Sequence, residues 1–343
     1  MMRLPLSWLL AFTTAALALL LLGSLATGPM TLTLGESLRA LFAGQESGIE
    51  SHKLLIVQEI RLPRTLLCIA VGGILGLCGA VMQGLFRNPL ADPGIIGVSG
   101  GAALGAALAI VLLAPLGQQL QTTIGIGLLP LLAFLGGALT TTLVYLLGTR
   151  EGGTSVTVML LAGVAITALS GAVIGLLTYL ADDQMLRNLS LWQMGTLAAG
   201  KPADVALALL TLVALLWLFM RDANPLNALL LGEGEARHLG VNVQSLKRRL
   251  ILLTAAGVGV AVAVSGMIGF VGLVVPHLVR LLAGPNHVRL LPLSALLGAA
   301  LLLAADMLAR TLLAPAELPV GIITALLGAP FFIWLLVKGR RAL

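Results

Sequence analysis

The residues best placed to perform chemistry lie in the motif GTLAAGKP, which nearly spells a phosphate-binding loop. Gly195, Gly200 and Lys201 have the spacing of the loop whose backbone amides and lysine hold nucleotide phosphates. Such a loop needs a serine or threonine after the lysine to hold Mg²⁺, and Pro202 stands there instead. No strand-forming segment precedes the motif. We therefore expect this chain not to bind nucleotide, so that any ATP site lies on another polypeptide.

The other reactive side chains are scattered rather than clustered. Cys68 and Cys78 are ten residues apart in one apolar segment, which puts them on different helix faces and predicts two buried thiols without a disulfide or metal. His277 is the one histidine within an apolar segment. A haem-ligand role is conceivable for it, but a structural or hinge role is favoured. Without a set of acid, base or metal-binding residues, an intramembrane enzyme is not indicated.

The composition is that of a chain solvated by lipid. Of its 343 residues, 59% are hydrophobic and 10% are charged, whereas soluble domains carry roughly a quarter charged residues. The 41 glycines suit closely packed membrane helices. The net charge of +6 comes from basic residues that sit singly at the ends of apolar runs. Such residues set membrane topology, and nucleic-acid binding is not expected.

The apolar runs predict an all-α integral membrane protein that forms a single domain over residues 1–343. About twenty apolar residues span a bilayer as a helix. On that measure the chain has ten segments, near 5–27, 64–86, 94–114, 126–148, 156–180, 204–220, 250–268, 270–283, 289–309 and 319–337. The first is longer than the core of a signal peptide, so we expect an uncleaved membrane helix. The eighth is short and contains Gly269, Gly272 and Pro276, which predicts a broken or tilted helix.

The basic residues predict the orientation. If both termini are cytoplasmic, 13 of the 20 lysines and arginines lie on inner loops and 7 on outer loops, the bias of a cytoplasmic face. Residues of about 61–180 and about 250–337 also share a basic start, a small-residue helix and a proline. One copy would begin outside and the other inside, so an inverted repeat is expected. Helix six (204–220) would separate the first copy from a cytoplasmic region, 221–249.

That cytoplasmic region contains a block that is polar in an otherwise apolar chain. Two glutamates open a short helix where its dipole favours acid, a basic pair closes it, and a glycine follows where a left-handed cap belongs. A loop that only reverses the chain needs a few residues, so an organised loop of this length favours a docking surface for a cytosolic partner. The helix and its caps comprise Gly232, Glu233, Glu235, Ala236, Arg237, His238, Leu239 and Gly240.

Five motifs give the chain a family resemblance. They are RLPR, MQGLFRNPLADPGIIGVSGGAALG, LGEGEARHLGV, GFVGLVVPHLVRLLAGPNHVRLLP and ELPVGIITALLGAPFFIWLL, in this order from residue 61 to residue 336. The chain resembles the FecCD family of ABC-transporter permeases, membrane subunits that import ferric siderophores, haem and cobalamin. The resemblance implies a type II ABC importer fold in the bacterial inner membrane. It also implies a homodimer, two cytosolic ATPase subunits that receive the 232–240 helix, and a periplasmic binding protein.

The resemblance also implies roles at both ends of the segments. Arg61, Arg64 and Arg310 match positions that dock carboxylates of the binding protein, although an arginine at a membrane end can also serve as an interfacial anchor. Near the ATPase contact, a cytoplasmic gate region is expected, although the glycines that follow it suit plain helix packing as well. The gate residues are Asn88, Pro89, Asp92 and Pro93.

The outer connection before residue 204 is expected to vary with cargo. Its LR ahead of WQMG is more similar to haem permeases than to siderophore permeases. The expected pathway residues are Met185, Arg187, Trp192 and Met194. Arg187 could pair with a haem propionate or form a structural ion pair with Asp182 or Asp183. Haem is the favoured cargo, and a ferric siderophore or cobalamin is the alternative; neither would be a permanent cofactor.

A different class of protein also fits an inverted repeat, namely an ion-coupled secondary transporter. Such a transporter usually places an ionisable residue deep in a membrane span. Asp306 is the nearest candidate, and the sequence places it close to a helix end. We therefore expect a permease without chemistry of its own, driven by ATP hydrolysis on a separate subunit.

Overall fold

Helices form almost all of the regular structure, as the composition predicts. The computed structural model describes residues 5–30, 32–42, 50–114, 116, 127–150, 153–198 and 200–340. A single two-residue pairing in these ranges joins β1 (Thr149–Arg150) to β2 (Gly153–Thr154). The α-helices are α1 (Leu6–Ala26), α2 (Leu34–Phe42), α3 (Ser51–Leu55), α4 (Leu62–Leu85), α5 (Val98–Val111), α6 (Leu128–Gly148), α7 (Val156–Leu180), α8 (Asp183–Gln193), α9 (Pro202–Arg221), α10 (Ala223–Leu230), α11 (Glu233–His238), α12 (Val243–Ser265), α13 (Val271–Ala283), α14 (His287–Thr311) and α15 (Val320–Arg340).

These helices contain the ten predicted apolar segments in order. Within the described residues, seven helical runs are long and apolar enough to cross a bilayer. They are α1, the run from α3 through α4, α6, α7, α9, α12 and α14. Three shorter apolar helices, α5, α13 and the start of α15, supply the remaining segments. The all-α membrane fold is therefore confirmed, whereas the inverted repeat stays a prediction.

Two predicted helix starts are wrong because charged residues conceal the first turns. The second segment was expected at 64–86, but the helix runs from Ser51 to Leu85, with a π-helical stretch at Ile56–Arg61. Pro63 lies inside this continuous run just after the π-helical stretch, where its missing N–H removes one helical hydrogen bond. Likewise α12 begins at Val243 rather than near 250, so it extends into the region expected to be a loop.

Helix α4 is the centre of the bundle, and nearly all of its side chains are buried. It packs against α9, α12, α13 and α14. Two of its glycines make this approach possible. A Cβ on Gly79 would lie 1.9 Å from the carbonyl oxygen of Gly272, and one on Gly72 would lie 2.4 Å from that of Gly298. Because the backbones touch directly, a larger residue at either position would force the helices apart.

The eighth segment is a short continuous helix, and the predicted break lies before it rather than inside it. Helix α12 ends at Ser265, and residues 266–270 are irregular before α13 begins. Gly266 (φ 69°) and Phe270 (φ 68°) both adopt left-handed backbone conformations. Helix α13 has 13 residues with Pro276 inside it, so it is too short to cross a bilayer as a straight rod.

Helix α7 is among the most exposed of the long helices. It packs on α5 and α6, but much of its surface is exposed and apolar. Leu161, Val164 and Leu169 are each about two-thirds exposed. A face of this kind must be covered by lipid or by another protein chain.

Candidate functional site

The predicted coupling helix exists as α11, and its ends are built by glycines. Gly232 (φ 127°) precedes the helix, and Gly240 (φ 82°) follows it in the left-handed conformation that the sequence predicts. The N–H of Gly240 donates to the carbonyl of Arg237 at 2.9 Å, and the N–H of Val241 donates to that of Ala236 at 2.9 Å. This pair of hydrogen bonds is a Schellman cap, which fixes the end of a helix too short to be stable alone.

Helix α11 has an inner face that anchors it and an outer face that is free. Ala236 is fully buried, and the carboxylate of Glu233 lies 2.6 Å from the ammonium of Lys247. Glu233 therefore pairs with Lys247 of the same chain, and its side chain stays 35% exposed. The exposed residues on the other side are Glu235, Arg237, His238, Leu239 and Gly240. Leu239 is 63% exposed, which gives the charged surface an apolar contact point.

Helix α10, which the sequence did not predict, packs directly against α11. Its Leu226 and Leu229 are buried, and it packs on α4 and α14. Asn227 on α10 accepts the backbone N–H of His287 at 2.8 Å and so ties this support to the start of α14. Asp222 pairs with Arg249 of α12 through a hydrogen bond of 2.7 Å. The coupling block is therefore joined to three membrane helices.

At the end of the bundle that is predicted to face outward, Arg61, Arg64 and Arg310 come together, but not as exposed cations. They are 3%, 6% and 2% exposed, respectively. Arg64 donates to Asp306 at 3.0 Å and to Glu317 at 2.7 Å. Arg310 is 3.0 Å from the other oxygen of Asp306. Their guanidinium groups are hydrogen-bonded inside the chain, and the docking role expected for them stays a prediction.

The end of α1 completes this cluster. Arg310 donates to the hydroxyl of Ser24 at 2.7 Å and to the carbonyl of Thr27 at 3.0 Å. Arg61 donates to the carbonyl of Leu25 at 2.7 Å, and Ser24 is 2.7 Å from the hydroxyl of Thr65. Carbonyl groups at the end of a helix lack helical partners and carry partial negative charge. The arginines therefore join α1, α4 and α14 into one unit.

The predicted gate residues form the turn between α4 and α5. Asn88 and Pro89 are exposed, and the side chain of Asn88 accepts the N–H of Leu90 at 2.9 Å. Asp92 accepts the N–H of Gly94 at 2.7 Å, and Pro93 begins a 3₁₀ turn. Burial raises the pKa of Asp92, and the N–H of Gly94 opposes that shift.

The glycines after this turn pack helices together. A Cβ on Gly105 would lie 1.9 Å from the carbonyl oxygen of Leu132, and one on Gly101 would lie 2.3 Å from that of Gly136. Helices α5 and α6 are therefore in backbone contact. This contact supports the alternative that the glycines after the turn serve helix packing. The gate assignment itself stays a prediction.

The comparisons with known proteins agree with this arrangement of elements. The profile described as the FecCD transport family matches residues 16–338, nearly the whole chain. The chain belongs to the FecCD transport family. As a member of that family it is a multi-pass membrane permease.

Two curated relatives and one solved structure show which FecCD proteins it is similar to. The hemin transport system permease protein HmuU of Yersinia pestis is 47% identical and covers 97% of this chain and 96% of the relative. The cobalamin import system permease protein BtuC of Halobacterium salinarum is 44% identical over 87% of this chain and 77% of the relative. A solved inward-facing structure of an ABC transporter assigned to the metal-chelate type has a TM-score of 0.82 and 34% identity, covering 97% of this chain and 99% of that one.

In this FecCD permease, the predicted pathway residues lie on and just after α8 but do not converge on one cavity. Trp192 lines a cavity of about 570 Å³ between the C-terminal ends of α5 and α12 and the N-terminal ends of α6 and α9, while Met185 is half-buried elsewhere. Arg187 and Met194 are exposed. Asp182 accepts the N–H of Met185 at 2.8 Å and caps α8. No ion pair with Arg187 occurs among the described residues, so its side chain is available to a ligand.

Sequence reasoning missed several polar residues of this cavity. Asn188, Thr196, Lys201 and Asp204 line it beside Trp192. In the sequence, Lys201 is conspicuous only as part of the GTLAAGKP motif, which resembles a phosphate loop. A signal for Lys201 was present in the sequence. It lies directly before a membrane span, in the connection that is expected to vary with cargo.

The elements around Lys201 are not those of a phosphate loop, and we predict that the purified chain does not bind ATP. Helix α8 precedes the GTLAAGKP segment where a phosphate loop needs a strand, and Pro202 begins α9. Equilibrium dialysis of the detergent-solubilised single subunit with radiolabelled ATP and Mg²⁺ should show no saturable binding at micromolar nucleotide. Saturable binding that is lost in Lys201→Met protein would contradict the prediction.

Proposed function

We propose that this chain is the membrane-spanning permease subunit of an ATP-driven importer that carries haem to the cytoplasm. The single observation that supports haem most strongly is the 47% identity with a hemin permease over 97% of the chain. The α11 helix supplies the second requirement, a partner surface, because its outer face is exposed and its inner face is anchored. Transport then results from helix movement and not from chemistry on this chain.

The partners follow from the same proposal. ATP and Mg²⁺ would be bound by two cytosolic ATPase subunits that receive the exposed side of α11. A second copy of this chain would cover exposed apolar surface such as that of α7, and the cargo path would lie between the two copies. The chain would sit in the bacterial inner membrane with both termini cytoplasmic, the orientation that the basic residues favour.

A periplasmic binding protein would dock at the outer end near the arginine cluster. Glu317 is the most accessible member of this cluster, with a side chain 35% exposed, and it occupies one donor of Arg64. A carboxylate of the binding protein would compete with Glu317 for that donor. Docking would therefore exchange one ion pair for another, and Asp306 would keep both Arg64 and Arg310 in place.

The chemistry of haem fits the outer connection. Haem is a planar, largely apolar dianion, so its path needs apolar walls and a cation near the entrance. Trp192 and Met185 supply apolar surface, and the exposed Arg187 supplies an unpaired charge. His277 is an unsuitable axial ligand, because its ring packs edge-on against Phe331 at 6.1 Å, and strong ligation would also hold the cargo in place. Cobalamin is the second candidate because of the BtuC relatives.

The cargo is tested with the complex of permease, ATPase and binding protein in liposomes. We predict that hemin-loaded binding protein stimulates ATP hydrolysis several-fold, whereas cobalamin and ferric siderophores do not. An exposed ion pair contributes about 0.2–1 kcal/mol, so Arg187→Ala should weaken hemin uptake by a factor between about 1.4 and 5. Arg187→Lys, which keeps the charge, should stay close to the wild type. Stimulation by cobalamin or a siderophore alone would overturn the cargo and leave the permease assignment intact.

A further inference from the structure

Lys247 is a buried cation that the coupling surface does not use directly. It lies in the second turn of α12 and is 2% exposed. Its ammonium has two partners from different parts of the chain. The carboxylate of Glu233 on α11 is 2.6 Å away, and the carbonyl oxygen of Thr154 is 3.0 Å away.

Thr154 belongs to the short β connection between α6 and α7. The same residue donates its N–H to the side-chain oxygen of Gln244 at 3.1 Å, one turn before Lys247 on α12. Gly153 (φ 113°) leaves room for this contact, since a Cβ there would lie 2.3 Å from the amide nitrogen of Gln244. Ser155 follows at once as the N-cap of α7. The start of α7 is therefore fastened to the start of α12 by two side chains.

We infer that Lys247 is a positioning residue that transmits a displacement of the coupling helix α11 to helix α7. This inference rests on the proposed function, because it requires an ATPase to displace α11. A buried ammonium is stable only while its partners remain in place, since an unpaired buried charge is strongly unfavourable. A displacement of Glu233 therefore displaces Lys247, and the carbonyl of Thr154 follows it.

Helix α7 is suited to receive this movement. Along its 25 residues only Met159, Gly163, Ser170 and Leu177 are buried, whereas α4 is buried over almost its whole length. Within one chain, α7 is therefore held by fewer buried contacts than α4, and its position relative to the α4 core changes at lower cost. The displacement of Thr154 acts on the N-terminus of α7, which begins two residues later, and we expect the helix to shift as one rigid unit.

The test measures the number of cargo molecules transported per ATP hydrolysed, which is independent of how much protein survives. Lys247→Met keeps the length of the side chain and removes its charge. In the reconstituted complex we expect ATP hydrolysis within about twofold of the wild type and a transport ratio at least tenfold lower. Lys247→Arg, which retains the donors, should recover much of the ratio. Arg248→Met, which changes the adjacent exposed cation, is the matched control and should have a normal ratio.

A second measurement separates a link from a merely structural role. Spin labels placed on α7 and α14 should report a distance change between nucleotide-free and vanadate-trapped complexes, and this change should disappear in Lys247→Met. Glu233→Gln should lower the transport ratio similarly, and the double variant should be no worse than either single one. A normal ratio and a normal distance change in Lys247→Met would overturn the inference. If the wild-type complex itself does not transport, the proposed function fails instead.

Discussion

Replacing Ala236 by proline should abolish coupled transport while the protein remains in the membrane. The N–H of Ala236 donates to the carbonyl of Gly232 at 2.9 Å, and proline both removes this donor and clashes with that carbonyl. The cost inside a helix is about 3 kcal/mol or more, which a helix of six residues cannot absorb. The membrane bundle, which packs through α4, is not touched by this change.

The measurement is cargo uptake and ATP hydrolysis in the reconstituted complex, with the amount of permease determined by immunoblot. We expect uptake below a tenth of the wild-type value at normal abundance. Gly234→Ala is the matched control, because position 234 is in the same helix and an added Cβ meets nothing within 4 Å. Normal uptake by the proline variant would show that α11 is only a connector.

Asp306→Asn should have the largest effect on stability. Asp306 is fully buried and is the shared carboxylate of Arg64 and Arg310. Removing one partner from a buried charged network costs about 3–5 kcal/mol, because the remaining charges lose compensation without regaining water. We therefore expect a strongly reduced amount of folded protein in the membrane and a lower unfolding temperature in detergent.

The control for this variant is Glu317→Gln, which removes a carboxylate from the same cluster. Its side chain is 35% exposed, and Arg64 retains Asp306 when it is lost. Its effect on the unfolding temperature should be small, in keeping with about 1 kcal/mol or less for an accessible pair. Equal unfolding temperatures for the wild type and Asp306→Asn would contradict the assignment of Asp306 as the shared counter-ion.

The same residue bears on the alternative of a secondary transporter. Asp306 was the nearest candidate for an ion-coupling carboxylate in the sequence. Both of its oxygens face arginines of the same chain, at 2.9 Å from Arg64 and 3.0 Å from Arg310. Asp306 therefore occupies the position of a structural counter-ion, and the secondary-transporter class loses its nearest candidate for an ion-coupling residue.

The fold was largely predictable from the sequence because hydropathy alone counts membrane segments. Ten apolar runs correspond in order to the described helices. The glycine caps of α11 were also predictable, since Gly232 and Gly240 occupy backbone conformations that few other residues adopt. The short helices α8 and α10 were missed, because α8 is too polar to count as a membrane segment and α10, with eight residues, is too short.

The internal charge pairing could not be predicted with the same ease. Arg64 and Asp306 are 242 residues apart, and no local pattern connects them. A signal did exist for two residues. Lys247 falls on the apolar stripe of Val243, Leu246 and Leu250, which marks it as buried. Arg310 follows Asp306 by four residues, the spacing of a helical ion pair.

We expect this FecCD permease to move its cargo only when a separate ATPase drives it. The most direct test is hemin accumulation in liposomes that contain the permease, its ATPase and the binding protein. We predict that hemin accumulation requires ATP hydrolysis, persists when ion gradients are collapsed, and disappears when the ATPase is omitted. Accumulation by the permease alone, driven by a proton or sodium gradient without ATP, would contradict it.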